Sequence, residues 1–505
     1  MHWERAGWTL GEVLRKVAQE HPDRTAMIGF ERQWTWAELD DAVDALACQW
    51  EAAGVGPGQA VAFLMAKRPE VVIGFLACAR IGAIQTPINF KLPMPQVQDL
   101  VDTAKVSALF VDQAHAVVAS GLSVPGPTFT VEGEGPLSIG RSADYKGRRS
   151  SHVATPDDVC YLNYTSGSTG RPKGARTTHR NILVNAAATI DGLGFTPEDV
   201  YLGMFSVFAH PHELFHRSLL LAGPFVVVDS LSPRVIAEVV ARHQVSWMMA
   251  VPSFYEMLLE GRAELGSLRV LESGGAYVSP ETLARMESAF SARFLPVWGS
   301  TETTGVALGM RIDQPTRPGS TGRPIDSYEV SLRNEAGEEV GPGEVGELFV
   351  RGEAVATGGY EGQPEETAAC FSEGWYATRD LMRRDADGYF FFIGRRSEML
   401  KIGGIRVFPL QIEEVVKLHP QVRDVVVVRA EERLRGEVAR AVVATVPGSN
   451  LSIAELQRWC RSQLALYMVP RIVEFWKEVP KLPNGKIDKK AVLAVPPDPH
   501  RDERG

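Results

Sequence analysis

"DVCYLNYTSGSTGRPKGARTTHRNILVNAAATI", residues 158–190, sets three kinds of sequence side by side. DVCYLNY is apolar and aromatic and reads as a buried strand. THRNILVNAAATI reads as a helix, with Thr178 as its N-cap. Between them stand Gly167, Gly170 and Gly174, the hydroxyls of Thr165, Ser166, Ser168 and Thr169, and the cation Lys173. Backbone N–H groups freed by such glycines can curl around phosphate oxygens, with hydroxyls donating and the lysine supplying charge. The spacing is not GxxxxGK[ST], because Lys173 follows Pro172 and the glycines stand elsewhere. On composition alone a flexible surface turn explains the stretch equally well, so it needs companions.

Working outward, this unit sits in a longer alternation running from about residue 35 to residue 390. WAELDDAVDALACQWEAAG (36–54) has helical periodicity and stops at Gly54; AVAFLM (60–65) reads as a buried strand. PEVVIGFLACARIGA (69–83) is a helix opened by proline, and SALFVD (107–112) another strand. The expected class is α/β, with largely parallel sheets under helices. The last hundred or so residues differ. PLQIEEVVKLHP and IAELQRWCRSQL read as helices, and DVVVVRA, RAVVATVP and RIVEFW as strands, an α+β unit preceded by a linker-like GRRSEMLKIGG. A boundary near Ser397 gives domains 1–396 and 397–505. Two unequal lobes with a hinge favour a ligand between them.

The totals narrow the choice. At 505 residues the chain exceeds what one core usually organises. A net charge of −9 argues against a nucleic-acid partner, while leaving room for a local basic phosphate site. Cys48, Cys78, Cys160, Cys370 and Cys460 lie far apart without a CxxC pair, which reads as reduced thiols rather than disulfides or zinc ligands. The start, MHWERAGWTLGEVLRKV, shows no signal peptide, and stretches such as VVIGFLACA are too short to span a bilayer. A soluble cytoplasmic protein with no membrane partner is expected.

Further stretches then carry a resemblance: SGGAYVSP (273–280), VWGSTETTG (297–305), GWYATRD (374–380), GYFFFIGRRSEMLKIGGIRVFPLQIE (388–413) and PKLPNGKIDK (480–489). With the opening stretch, these resemble, in order, the motifs of the acyl-adenylate-forming superfamily, which holds acyl-CoA synthetases. The resemblance implies a large multi-subdomain N-terminal adenylate-forming domain, hinged to a small mobile C-terminal one. It implies an AMP-forming carboxylate–CoA ligase: a carboxylate attacks the α-phosphorus of ATP and expels pyrophosphate, then a thiol attacks the acyl-adenylate and releases AMP.

The same resemblance assigns roles. Residues 165–170 and Lys173 would hold the β- and γ-phosphates, and Thr301 would touch the α-phosphate. Glu302 would hold Mg²⁺, a hard ion that prefers carboxylate oxygen. Trp298, where tyrosine is usual, would stack on adenine, beside Gly299, Ser300 and the Gly274, Gly275, Ala276 segment. Asp380 and Arg395 would take the ribose hydroxyls. Lys486 would bridge carboxylate and α-phosphate; after rotation of the tail, Gly403, Gly404 and Arg406 would replace it beside coenzyme A. Outside such a constellation, an isolated TE pair or a lone PNGK lysine is more simply a solvated loop residue.

Three positions depart from the pattern. Ser397 stands where the hinge residue is commonly Asp or Lys. Arg379 replaces a usual glycine, implying a backbone without positive φ there. In GMFSVFAHPHELFHR (203–217), either Phe208 or His210 falls at the family's pocket-closing histidine, and the sequence favours His210 slightly. His210, His212, Glu213 and His216 resemble metal ligands, but a zinc site is not expected.

The acyl pocket should draw on 203–215, 249–254, 273–277 and 298–308. No Arg or Lys occurs in these stretches, which disfavours a second substrate carboxylate. No Asp is placed to catch an α-amino group. A monocarboxylic acid, aliphatic or aromatic, remains. The alternatives are an enzyme loading a separate acyl carrier protein, a luciferase-type oxygenase, and a silent nucleotide-binding homologue. Oligomeric state is open, a homodimer included.

Overall fold

The computed structural model describes residues 2–150, 152–165, 172–432, 436–482, 487–498 and 500–503. Two mostly parallel sheets dominate residues 25–296. One has the order 128–130, 106–111, 60–64, 84–87, 159–165, 173–178. The other runs 293–296, 270–273, 247–250, 201–203, 225–226, 25–28, 33–35. A single core containing Trp36, Trp50, Phe63, Phe75, Leu183, Tyr201, Phe215 and Phe225 joins both.

Local chemistry sets the helices. In His179–Leu193 the Thr178 hydroxyl accepts from Asn181 N at 3.1 Å, and Asn181 Oδ1 accepts from Thr178 N at 2.9 Å. Gly194, at φ 82°, ends it. Pro69 opens the helix Pro69–Ile81, and Gly82 closes it in the left-handed region.

Three expectations change. The glycine-rich stretch does not lead from strand to helix, because Lys173–Thr178 is itself a strand, antiparallel to Val159–Thr165. Gly174 is therefore a ladder residue opposite Tyr164, and a Cβ there would lie 2.8 Å from the Tyr164 ring. Second, the parallel α/β pattern ends near Pro296. Residues 298–395 fold as antiparallel sheets, as suits strands that alternate polar with apolar side chains. Third, 394–404 is not an irregular linker. It closes the strand Phe390–Arg395, makes a short turn, and forms the hairpin Leu400–Ile402/Ile405–Val407. Gly403 (φ 58°) and Gly404 (φ 82°) make its two-residue turn, which requires both to be left-handed.

Leu400 and Val407 pack with Ile412, Val425, Val443 and Phe475, whereas Phe390 belongs to the large core. The tail unit is a three-stranded sheet (422–432, 436–445, 472–475) with the helices Pro409–Lys417 and Ile453–Gln463. It meets the larger unit through the ion pair Arg406–Glu335 (2.8 Å) and a Tyr277–Glu414 hydrogen bond. Among the described residues, no helix is long and apolar enough to cross a membrane. All five cysteines are buried free thiols.

Candidate active site

The short hairpin Trp298–Ser300/Gly305–Gly309 carries the centre. Gly299 must be glycine, because a Cβ would lie 2.0 Å from the Gly305 carbonyl oxygen. Ser300 N donates to Thr303 Oγ1 at 2.8 Å and Thr304 N to Thr301 O at 3.1 Å, which ties the turn that presents Thr301 and Glu302. Both side chains are buried. Asn163 Nδ2 lies 3.4 Å from Thr301 Oγ1 and 3.4 Å from His210 Nδ1, so this asparagine joins the two. His210 adopts φ 54°; Phe208, the alternative, instead meets Phe90 edge-on at 5.8 Å.

Glu302 Oε1 accepts from the Tyr360 hydroxyl at 2.7 Å, and Tyr376 hydrogen-bonds both Glu302 and Ser300. Burial and the nearby carboxylate push both tyrosines well above the usual phenol range, so they act as donors. Lys173 Nζ lies 5.2 Å from the centre of the Tyr360 ring and pairs with Glu366. Lys173, Tyr360 and Glu302 thus form one connected line. A buried carboxylate with hard oxygen donors fits Mg²⁺, unlike the histidine-rich cluster nearby.

At the other end Trp298 Nε1 donates to Asp380 Oδ2 at 2.9 Å, and Arg395 Nε pairs with Asp380 Oδ1 at 3.2 Å. The indole is therefore tethered edge-on to the aspartate. Asp380 reaches the centre through a bulge. Glu347 pairs with Leu381 and Phe349 with Ala377, so three residues face one, and Arg379 takes φ 62°. The expectation of a non-positive φ at Arg379 is thus overturned. Its guanidinium Nη2 donates to Cys370 Sγ at 3.4 Å. The left-handed backbone is retained without glycine, at a cost of about 1 kcal/mol.

The structure brings together Trp298, Gly299, Ser300, Thr301, Glu302, Asp380, Arg395, Lys173 and His210. Gly274, Gly275 and Ala276 follow the strand Val270–Ser273, Gly275 at φ 83°. Gly403 and Gly404 are exposed, with open space around them, and Arg406 is taken by Glu335. They therefore line no site in this arrangement of the lobes. Ser166, Gly167, Ser168, Thr169, Gly170 and Lys486 lie outside the described residues, and only the backbone of Thr165 is described. Asn163, Tyr360, Tyr376 and Glu366 escaped the sequence reading. Asn163 and Tyr376 lie inside the quoted stretches, whereas Tyr360 and Glu366 lie outside them and carry no local signal.

His210, His212 and Glu213 offer ligand atoms within 4.8 Å of one another. Their chemistry is that of a packed polar layer instead. Burial holds Glu213 neutral, pushed up to about 8, and His212 Nε2–H donates to Thr304 O at 3.1 Å. Burial also pulls His212 and His179 down to about 4. Between pH 6.5 and about 4 only the unfolded chain takes up these two protons, so they make stability fall as pH falls. Glu213 works oppositely, its contribution fading as pH rises from 4.5 to about 8. His212→Phe should flatten the slope of unfolding free energy against pH between 4 and 6.5 by about one proton. An unchanged slope in urea titrations at stepped pH would contradict this.

Comparison with known proteins now decides the family. The sequence profile of the AMP-binding enzyme matches residues 14–360, and that of the AMP-binding enzyme C-terminal domain matches 411–486. The chain belongs to the AMP-binding enzyme family. Feruloyl-CoA synthase of an Amycolatopsis species is 33% identical, over 96% of this chain and 98% of that one. Indoleacetate–CoA ligase of Aromatoleum aromaticum is 30% identical, over 96% and 97%. In structure, o-succinylbenzoate CoA synthetase of Bacillus subtilis, solved with its acyl-adenylate intermediate, superposes with TM-score 0.83 at 25% identity, covering 96% and 98%.

Proposed function

We infer that this protein is an AMP-forming acid–CoA ligase, which adenylates a carboxylic acid with ATP and passes the acyl group to coenzyme A. The observation that supports it best is the continuous set Lys173–Tyr360–Glu302, Thr301–Asn163–His210 and Trp298–Asp380–Arg395 on one hairpin and its neighbours. Full-length similarity to ligases of aromatic acids agrees with it.

In the first step a carboxylate oxygen bonds to the α-phosphorus as the bond to pyrophosphate breaks. Lys173 and residues 165–170 take the leaving phosphates, for which Lys173 exchanges Glu366. Thr301 donates to the α-phosphate, and Glu302, aligned by Tyr360 and Tyr376, would hold the ATP-bound Mg²⁺. That ion, when bound, neutralises phosphate charge. Trp298 sets the adenine plane, Asp380 accepts the ribose hydroxyls, and Lys486 bridges the two reacting anions. In the second step the thiol sulfur bonds to the acyl carbon and AMP leaves. We place the moving unit at 397–505, turning about Ser397 and bringing Gly403, Gly404 and Arg406 to the thiol. Five buried thiols suit a reducing, cytoplasmic setting.

Gly404→Leu should slow thioester formation at least about tenfold, while acid-dependent pyrophosphate release survives. Gly404→Asn, which tolerates φ 82°, should be milder. Normal turnover of the leucine variant would remove the hairpin from the second step. The reading as a whole is tested by pyrophosphate release with a panel of acids, with and without coenzyme A. Release with no acid, or formation of no thioester, would reject it.

A further inference from the structure

The sequence places no cation in the stretches expected to line the acyl pocket, but the fold delivers one from elsewhere. Lys67 follows the strand Ala60–Leu64 of one sheet and reaches the end of Tyr201–Gly203 in the other. It is 7% exposed. Its ammonium donates to Gly203 O at 3.1 Å and lies 3.9 Å from Met204 Sδ, a weak acceptor. Among the described residues no carboxylate pairs with it, and Asp229, which acts on it through charge alone, is exposed. Burial pulls it down to about 8. A buried ammonium without a counter-ion costs several kcal/mol, more than tying two strands together requires.

Its place suggests what it serves. In parallel sheets, ligands bind beyond the carboxyl ends of the strands. Lys67, Gly203–Met204, Met249–Ala250 and Ser273–Gly274 all stand at such ends, and Met204 N donates to Met249 O at 2.8 Å. The chain from Met204 to His210 then runs from the lysine to Asn163 and Thr301, passing Phe205 and Phe208. Apolar side chains thus run from Thr301, which the ligase reading places at the α-phosphate, to an under-used cation.

We propose that Lys67 is a specificity-determining residue, which takes a hydrogen-bond-accepting oxygen at the end of the substrate acid remote from its activated carboxyl. This rests on the acid–CoA ligase reading. It narrows the substrate class to acids with a polar tip, a hydroxyl or a carboxylate.

The test compares acids of one skeleton, cinnamate, 4-hydroxycinnamate and 4-carboxycinnamate, in pyrophosphate release by the wild type and by Lys67→Met. The wild type should favour one tipped acid over cinnamate by about 10- to 100-fold in kcat/KM, the ratio expected for a bond to a charged donor. The favoured tip says whether a hydroxyl or a carboxylate is taken. In Lys67→Met that ratio should collapse toward one, while the thermal midpoint holds or rises. A wild type that shows no preference, or a ratio unchanged by the substitution, would overturn the proposal and leave Lys67 as a clip between sheets. Failure of these three acids and of a wider panel of aliphatic and aromatic acids to release pyrophosphate would instead reject the ligase reading itself.

Discussion

Lys486→Ala should lower acid-dependent pyrophosphate release by a factor on the order of 10²–10³ or more, yet leave thioester formation from supplied acyl-adenylate largely intact. The reason is the charge at each step. Carboxylate and α-phosphate both carry negative charge as they approach, and two such charges 4 Å apart repel by about 4 kcal/mol at an effective dielectric constant of 20. A single ammonium between them offsets that repulsion. The adenylate no longer has a free carboxylate, so the second step has no such need. Rates of the two half-reactions, measured separately, check this. Equal loss in both would show that Lys486 supports the fold and not the first step.

The second large effect concerns stability. Arg217 and Glu272, at 1% and 0% side-chain exposure, are joined at 2.6 and 2.9 Å. Trp247 Nε1 adds a donor to Glu272 at 2.7 Å, and Arg217 Nε donates to Thr189 Oγ1 at 3.1 Å. Arg217→Met leaves a buried carboxylate without its cation. Unfolding of the large unit should lose about 3–5 kcal/mol, visible as a lower urea midpoint in the fluorescence of its tryptophans, Trp247 among them. Arg217→Met with Glu272→Leu should recover much of that loss, because the charge to be buried has gone. Two single variants each within 1 kcal/mol of wild type, roughly the value of an exposed pair, would contradict the burial argument.

What the sequence disclosed follows from the range of the forces involved. The helices 36–52, 69–81 and 179–193 were legible because each carries a signal at its own end: Gly54 stops the first, Pro69 opens the second and Thr178 caps the third. The strand Lys173–Thr178 was hidden, because its partner and its neighbour Tyr360 are chosen by tertiary pairing. The hairpin at 400–407 read as a linker, since two glycines between charges serve either purpose until Leu400 and Val407 find the tail core. Within the site, short motifs exposed Thr301, Glu302, Trp298 and Asp380 as candidates. Tyr360 stands 58 residues from Glu302, and Lys67 stands 136 from Gly203, and nothing local announces either contact. Arg379 misled for a related reason. Glycine is the usual residue where φ is positive, but a bulge fixed by its neighbours can hold arginine there.

The central claim is that the acid's own oxygen attacks the α-phosphorus of ATP. Turnover with an accepted acid labelled with ¹⁸O in its carboxylate, followed by mass spectrometry of the products, tests it directly. The account predicts one ¹⁸O in the phosphate of AMP, the other remaining in the thioester. Unlabelled AMP, or label in inorganic phosphate formed alongside ADP, would contradict it.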